Sequence, residues 1–204
     1  AIAADDVHEN AFWRADLTEA ADHLVRVVRE VQPQVMVTYD QFGGYGHPDH
    51  IQAHRVAMYA AQLAAVPSYK PELGAPWEIA KIYWGAISES RMRQGLRALR
   101  EAGDTSAFEG MDPDGPLPYF VVGDDALSAI VDAGPYAERK MDALRAHKTQ
   151  VSVDSGFFAL SNNLGSEVMG EEYYRIAKGT PAPDREDGLE STLFAGLALV
   201  GPTA

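Results

Sequence analysis

The chain has 204 residues, of which 46% are apolar, enough for one folded domain with a hydrophobic core. Its net charge of −13 argues against a nucleic-acid-binding or anionic-membrane-binding surface, and no apolar run approaches the length of a membrane span. Because cysteine is absent, any metal must be held by histidine and carboxylate side chains. The composition therefore predicts a soluble, cytoplasmic protein with a small-molecule partner.

The N-terminal residues 1–15 are irregular in pattern, and Phe12 and Trp13 are their expected anchors on a core. The chain begins without a methionine, and its first clear secondary-structure signal comes at Asp16, so we expect it to be the later part of a longer protein. Asp16 and Glu19 form a capping-box pair in front of apolar residues at helical spacing, which predicts a helix that Pro33 ends.

A strand, a glycine-rich loop and a helix are predicted next. An apolar run at 35–38 leads to Asp40, three glycines lie between 43 and 46, and Pro48 opens a helical pattern that continues to about Val66. Proline is favoured at the first helical position, because its missing N–H has no intrahelical partner there. This places His47 at the N-cap.

Asp49 and His50 then fall in the first turn of the same helix. In an open α/β sheet, ligands bind beyond the carboxyl ends of the strands, where this helix begins. The helix dipole disfavours imidazolium there and so favours neutral histidine, the form that binds metal. The alternative interpretation is that the His-Pro-Asp sequence is only a capped helix start.

The middle of the chain predicts a strand at 79–84 and a helix that Ser88 or Ser90 caps and that ends near Ala102. We interpret the four arginines of this helix as a solvated face. Residues 103–118 are rich in Asp, Gly and Pro and are predicted to form a long loop, of the kind that often serves as a lid or binding loop.

The later elements are less sharply defined. A strand is predicted at 119–122, residues 126–131 fit either a strand or a helix capped by Asp124 and Asp125, and a helix is predicted from Pro135 to about 150. His147 would cap the end of that helix or contact substrate. We predict a turn at the amide pair in 157–163 and a strand at 172–177. A final helix from Asp187 would bury Leu189, Leu193, Phe194 and Leu197.

Several of these stretches together resemble the LmbE-like, or PIG-L, zinc-dependent de-N-acetylases. The resemblance spans essentially the whole chain and is most specific in the glycine and histidine block. The order and residues of these motifs are most similar to those of the actinobacterial branch that deacetylates N-acetylglucosaminyl-inositol in mycothiol biosynthesis. The motifs are VTYD at 37–40, GGYGHPDH at 43–50, KIY at 81–83, LRAHKTQ at 144–150, ALSNN at 159–163 and LESTLFAGL at 189–197.

The resemblance implies roles for four residues. His50 would be a zinc ligand, and His47 would act as a cation or acid that stabilises developing charge and protonates the leaving amine. Asp49 would orient an imidazole, and Tyr45 would reach the substrate carbonyl. Two of these residues also have a purely structural interpretation. Asp49 could be only a first-turn carboxylate that the helix dipole favours, and Tyr45 could be only an aromatic side chain that packs over the glycines. His54, one turn beyond His50, is expected to be packed or to support the site rather than to bind metal.

The resemblance also implies a Rossmann-like α/β sandwich of a single domain, with a mostly parallel sheet that lacks its N-terminal strand or strands. The family's first metal-binding motif, Ala-His-Pro-Asp-Asp, has no counterpart in the chain. The implied reaction is metal-dependent hydrolysis of an amino-sugar acetamide with Zn²⁺, or Fe²⁺, as the cofactor. The alternatives are a mycothiol S-conjugate amidase and a non-catalytic fragment.

Overall fold

In the computed structural model, which describes residues 8–152 and 156–198, helices and strands alternate along much of the chain. The helical elements are α1 (Leu17–Val31), the short turn α2 (Gly43–Gly46), α3 (Pro48–Ala64), α4 (Glu89–Glu101), the short turn α5 (Ala107–Gly110), α6 (Ala137–Ala146) and α7 (Gly156–Leu164). The strands are β1 (Val35–Thr38), β2 (Lys81–Ser88), β3 (Val121–Val122), β4 (Ala129–Asp132) and β5 (Glu171–Lys178).

The five strands form a mixed sheet with the order β1-β2-β5-β4, in which β3 pairs with β2 outside this path. β1 is parallel to β2, with Val35 opposite Lys81, and β3 is also parallel to β2. β4 is antiparallel to β5, with Ala129 opposite Tyr174. The α/β class is thus confirmed. The mostly parallel sheet is not, because an apolar strand pattern reports burial rather than strand direction.

The chain divides into two compact units, of which unit 1 comprises 1–85, 175–183 and 193–204. Asp16 caps α1 as predicted, since its side chain accepts bonds from the N–H groups of Thr18 and Glu19. The core of unit 1 is formed where α1 packs on α3 and the start of β2. Its buried residues are Ala21, Val25, Val28, Ala60, Ala61, Ala64, Ile79 and Ile82.

Unit 2 comprises 86–174 and 184–192. Ser88 caps α4 through a bond from the Arg91 N–H, and the following loop lies against this helix. The four arginines, Arg91, Arg93, Arg97 and Arg100, were expected to form a solvated face. Instead, Arg93 donates to the carbonyls of Pro113 and Gly115, and Arg97 pairs with Asp114 at 2.5 Å. The predicted solvated face is thus found in part: Arg97 and Arg100 are exposed, whereas Arg93 is half-buried because the loop supplies acceptors that the helix pattern does not reveal.

Two predicted elements of the later chain are wrong. The amide pair at 162–163 lies in α7 rather than in a turn, and the Asn163 side-chain amide donates to the carbonyl of Ala159. Residues 187–197 form turns rather than a helix. Asp187 accepts a bond from the Leu189 N–H, and Glu190 is buried in an isolated bridge with Ala129. The capping-box pattern thus folds into a local turn that long-range pairing completes.

The other predicted strands and the helix from Pro135 are observed with shifted ends, and the predicted loop at 103–118 contains the short turn α5. The strands at 79–84 and 172–177 are observed as β2 and β5, and the alternatives for 126–131 resolve into a short 3₁₀ turn, Asp124–Ala126, followed by β4. His147 caps α6, as its Nδ1 lies 2.7 Å from the carbonyl of Ala143. Within the described residues, no helix combines the length and apolarity needed to cross a membrane.

Candidate active site

Asp40 shapes the loop that follows β1. Its carboxylate is buried, and Oδ1 accepts hydrogen bonds from the N–H groups of Phe42 and Gly44, each at 3.0 Å. An aspartate that binds the backbone two residues ahead is a common device for starting a tight turn. Asp40, to which the sequence assigned no role, therefore braces the loop that carries the predicted site residues.

Gly43 allows this loop to approach the start of α3 more closely than any other residue could. Its φ is +64°, and a Cβ atom there would lie 2.6 Å from the Ile51 backbone N and 2.8 Å from the His50 Cβ. Its carbonyl oxygen lies 3.3 Å from His50 Nδ1. His50 can therefore take this position only because Gly43 has no side chain.

Substitution of Gly43 by alanine should lower the free energy of unfolding by about 2–3 kcal/mol, because it combines a left-handed backbone with a clash against α3. Gly103→Ala is a matched control, since Gly103 has φ +90° but a Cβ atom added there would meet no other atom within 4 Å. The control should cost about 1 kcal/mol. Chemical denaturation of both variants measures the difference, and equal losses would show that the close approach is not important for stability.

His47 occupies the N-cap of α3, as the sequence predicts, with Pro48 as the first helical residue. Its Nδ1 accepts a hydrogen bond from the Asp49 N–H at 3.2 Å. An imidazole that accepts at Nδ1 carries its proton on Nε2. In this arrangement, His47 presents an Nε2–H donor.

His50 lies beside His47, with ring centroids 4.8 Å apart. Donation from its Nδ1–H to the Gly43 carbonyl leaves the lone pair of Nε2 free, which is the tautomer that a metal ligand needs. Burial lowers the pKa of His50, and the neighbouring His47 adds to this effect, whereas the Gly43 carbonyl and Asp49 oppose it. His50 is thus held as a neutral base with one free nitrogen.

We expect His50 to titrate below the ordinary histidine pKa of 6.5. Because protons compete with metal for the imidazole, the lowered pKa extends the pH range over which Nε2 is available toward acid. NMR titration of the histidine ring protons, assigned with a His50→Ala variant, measures this pKa. A value at or above the ordinary one would contradict the desolvated environment.

Tyr39 is a site residue to which the sequence assigned no role. Its ring stacks on the His50 imidazole at a centroid distance of 4.3 Å and an interplanar angle of 10°. The position directly after β1 is the available signal, because residues at that strand end face the ligand edge. His54 contacts the backbone of Tyr39, since its Nδ1 lies 2.9 Å from the Tyr39 carbonyl oxygen. The His54 ring packs edge-on against Trp84. His54 thus supports the site, as expected.

Tyr45 lies on the exposed side of the histidine pair. Its ring meets His50 edge-on at 5.2 Å and His47 at 6.4 Å. The residue follows Gly44, whose φ of +74° and ψ of −79° turn the chain sharply. Tyr45 is 46% exposed, so its side chain is not packed into a core.

Asp49 has a definite structural contact. Its Oδ1 accepts a hydrogen bond from the Trp13 N–H at 2.8 Å, and Arg55 lies over the Trp13 ring at 4.6 Å. Trp13 is therefore anchored on α3 as predicted, whereas Phe12, the other expected anchor, is exposed. The role of Asp49 in orienting an imidazole remains a prediction.

The histidine pair fits part of a metal site. Neutral imidazole is a suitable ligand for zinc or ferrous iron. The Gly43 carbonyl accepts a hydrogen bond from His50 Nδ1 and so orients the ring, as is usual for a histidine that binds metal through its other nitrogen. A catalytic zinc takes three protein ligands. Within residues 8–152 and 156–198, no group of three or more His, Asp or Glu side chains could hold a metal ion. The described residues thus provide only some of the three protein ligands that a catalytic zinc takes.

Comparison with known proteins gives matches along most of the chain. The family model described as "PIG-L: GlcNAc-PI de-N-acetylase" matches residues 4–61. A protein of Nocardioides sp. named 1D-myo-inositol 2-acetamido-2-deoxy-alpha-D-glucopyranoside deacetylase is 71% identical over 97% of this chain and 65% of its own length. A protein of the same name from Kribbella flavida is 59% identical over 94% of this chain and 63% of its own length. A protein of Catenulispora acidiphila, whose name adds the numeral 1, is 55% identical over 96% of this chain and 60% of its own length.

These matches confirm the resemblance that the motifs indicate. The chain spans 60–65% of the length of these three relatives. The matched family segment contains α1, β1, the glycine loop and most of α3, which together position every predicted site residue.

Proposed function

We propose that this chain, as a member of the PIG-L de-N-acetylase family, forms the histidine-bearing part of an enzyme that hydrolyses the acetamide of N-acetylglucosaminyl-inositol. The products would be acetate and the free amino sugar. The names of the relatives support the substrate. The observation that carries the chemistry is the neutral His50, with its Nε2 free, beside the Nε2–H donor of His47.

The proposed cofactor is Zn²⁺, with Fe²⁺ as the alternative that the same ligands accept. When bound, such a metal supplies an activated water and polarises the substrate carbonyl. His50 would hold it through Nε2. The stacked Tyr39 ring and the Gly43 carbonyl fix the direction of that nitrogen before any ligand arrives.

His47 and Tyr45 would act on the reacting amide. The Nε2–H of His47 would donate a hydrogen bond to the oxygen on which negative charge develops. To deliver a proton to the leaving nitrogen, His47 would have to take up a second proton at Nδ1 and release the Asp49 N–H. The half-exposed Tyr45 can direct its hydroxyl group at the same carbonyl. The two rings lie 6.4 Å apart, and each is near the His50 ring, so the two donors would act on a common substrate.

We further infer that the sheet belongs to a Rossmann-like sandwich that is mostly parallel in the whole protein. The parallel pairing of β1 with β2, at the strand end that carries the site, supports this inference. The net charge of −13 and the lack of cysteine support a cytoplasmic enzyme that acts on a small amino sugar rather than on nucleic acid or a membrane surface.

A chimera tests the proposed function. The part of the Nocardioides relative that the match does not cover is joined to this chain, and release of primary amine from N-acetylglucosaminyl-inositol is measured with Zn²⁺ present. We expect turnover by the chimera and none by the chain alone. A folded, metal-loaded chimera that releases no amine would contradict the proposal, and preferential cleavage of a mycothiol S-conjugate would replace it by the amidase.

A further inference from the structure

A short segment of unit 1, residues 11–15, lies against the beginning of α3, the helix that carries the histidine pair. It contains the 3₁₀ turn Phe12–Arg14, which backbone hydrogen bonds of 2.9 and 3.0 Å close. The next residue, Asp16, caps α1. The segment, which we call the brace, therefore has a defined backbone between the start of α1 and the start of α3.

Three side chains of α3 hold the brace. Asp49 accepts a hydrogen bond at Oδ1 from the Trp13 N–H at 2.8 Å. Gln52 donates from Nε2 to the Ala15 carbonyl at 3.0 Å. The Arg55 guanidinium lies over the Trp13 ring, 4.6 Å from its centroid. Residues three apart are neighbours on a helix surface, so these side chains form one row along α3.

Gln52 is a buried polar side chain, with only 3% of its surface exposed. The other buried residues of α3 are apolar, namely Val56, Ala57, Ala60, Ala61 and Ala64. Burial of an amide costs free energy unless the amide is hydrogen-bonded, and the Gln52 amide donates to the brace. Because water does not compete for a buried bond, this contact fixes the position of the brace on α3.

The brace meets α3 where the site residues lie. Asp49, which the brace contacts, lies between His47 at the N-cap and His50. The Gly43 loop approaches the same turn at His50 and Ile51. Two separate elements therefore hold the first turn of α3, the Gly43 loop at one set of residues and the brace at another.

We propose that Gln52 and Arg55 are positioning residues for the deacetylase proposed above. Through the brace they fix Asp49 and the first turn of α3, and thereby the direction of His50 Nε2 toward a metal ion. This inference rests on the proposed function. Metal sites require their ligands within about 0.5 Å of the productive position, so a small rotation of this turn affects metal binding as well as stability.

The first test is Gln52→Met in the chimera of this chain with the uncovered part of the Nocardioides relative. Methionine keeps a side chain of similar length but removes the donor to the brace. We expect Zn²⁺ to bind about tenfold more weakly, as for loss of a group that supports a metal ligand. The visible absorption of the Co²⁺-loaded chimera, which reports ligand geometry, should change as well. The matched control is Gln62→Met, because Gln62 is exposed near the end of the same helix, and it should alter neither.

Arg55 provides a second variant, which also serves if Gln52→Met does not fold. Arg55→Met removes the cation from the Trp13 ring and should weaken Zn²⁺ binding by about threefold, whereas Arg55→Lys keeps a cation there and should restore most of the affinity. In a Trp13→Leu background, Arg55→Met should have no further effect, because the ring that Arg55 contacts is absent.

A metal-free measurement separates this inference from the deacetylase proposal. Because the Tyr39 ring stacks on His50, the NMR signals of the His50 ring protons depend on the relative position of the two rings. Gln52→Met should move these signals in the metal-free chimera, and Gln62→Met should not. A chimera that binds no zinc would contradict the proposed function, and the His50 signals would then decide on the brace alone.

A brace that serves only stability gives a different result. Gln52→Met would then lower the free energy of unfolding, while the folded variant kept its zinc affinity, its Co²⁺ spectrum and its His50 signals. Unchanged zinc affinity, or unmoved His50 signals, in the folded Gln52→Met or Arg55→Met variant would overturn the proposal.

Discussion

Replacement of His50 by alanine should weaken Zn²⁺ binding by more than about 100-fold in the chimera with the uncovered part of the Nocardioides relative. Loss of a residue that merely supports a metal ligand costs about 10–100-fold, and His50 would be a ligand itself. The neutral imidazole with its free Nε2, oriented by Gly43 and Tyr39, is the reason for this expectation. Competition with a zinc chelator, followed by metal analysis, measures the loss.

The matched control is His23→Ala, which removes an exposed histidine from α1 and should leave zinc affinity unchanged. Acetamide hydrolysis by the His50→Ala chimera should fall in parallel with metal content. Full zinc occupancy in this variant would remove His50 from the ligand set. It would then leave His47, whose Nδ1 is already occupied by the Asp49 N–H, as the alternative imidazole.

The parts of this site that could be predicted from sequence are those that neighbouring residues determine. Pro48 can open a helix wherever it stands, and this fixes His47 at the N-cap and His50 in the first turn. The same holds for Asp16 at the start of α1. Each signal acts within one helical turn, so a reader of the sequence has all the information that the local structure uses.

The parts that could not be predicted depend on contacts between distant residues. The Asp187 segment carries a helix signal, yet Glu190 pairs with Ala129 and the segment forms turns. The stacking of Tyr39 on His50 follows from how β1 and α3 pack, which no spacing rule reports. Local propensity was overridden in these places because burial and pairing yield more free energy than a cap does.

Arg29 likewise makes contacts with distant residues of unit 1 that the sequence does not reveal. It lies on α1 at a position of the apolar stripe and is only 3% exposed. Its guanidinium donates five hydrogen bonds to backbone carbonyls. The acceptors are Leu63, Ala64, Val66, Lys70 and Gly74, at 2.9–3.3 Å.

Two of these acceptors are carbonyls of the last turn of α3, which also accept hydrogen bonds from the N–H groups of Val66 and Trp77. The others belong to the loop that leads to β2. Arg29 therefore satisfies the end of one helix from the side of another and fixes the course of the connecting loop. A planar group with five donors is suited to this task, whereas lysine offers only three donors from one point.

Arg29→Met should accordingly lower the free energy of unfolding by about 2–4 kcal/mol, because it keeps the apolar stem but removes five hydrogen bonds, although four of the five carbonyls keep a backbone N–H donor. Arg26→Met is the matched control: Arg26 lies exposed on the same helix, and its replacement should change stability by less than about 0.5 kcal/mol. Urea denaturation of both variants provides the comparison. A loss for Arg29→Met as small as that of the control would mean that water replaces the guanidinium at these carbonyls without cost.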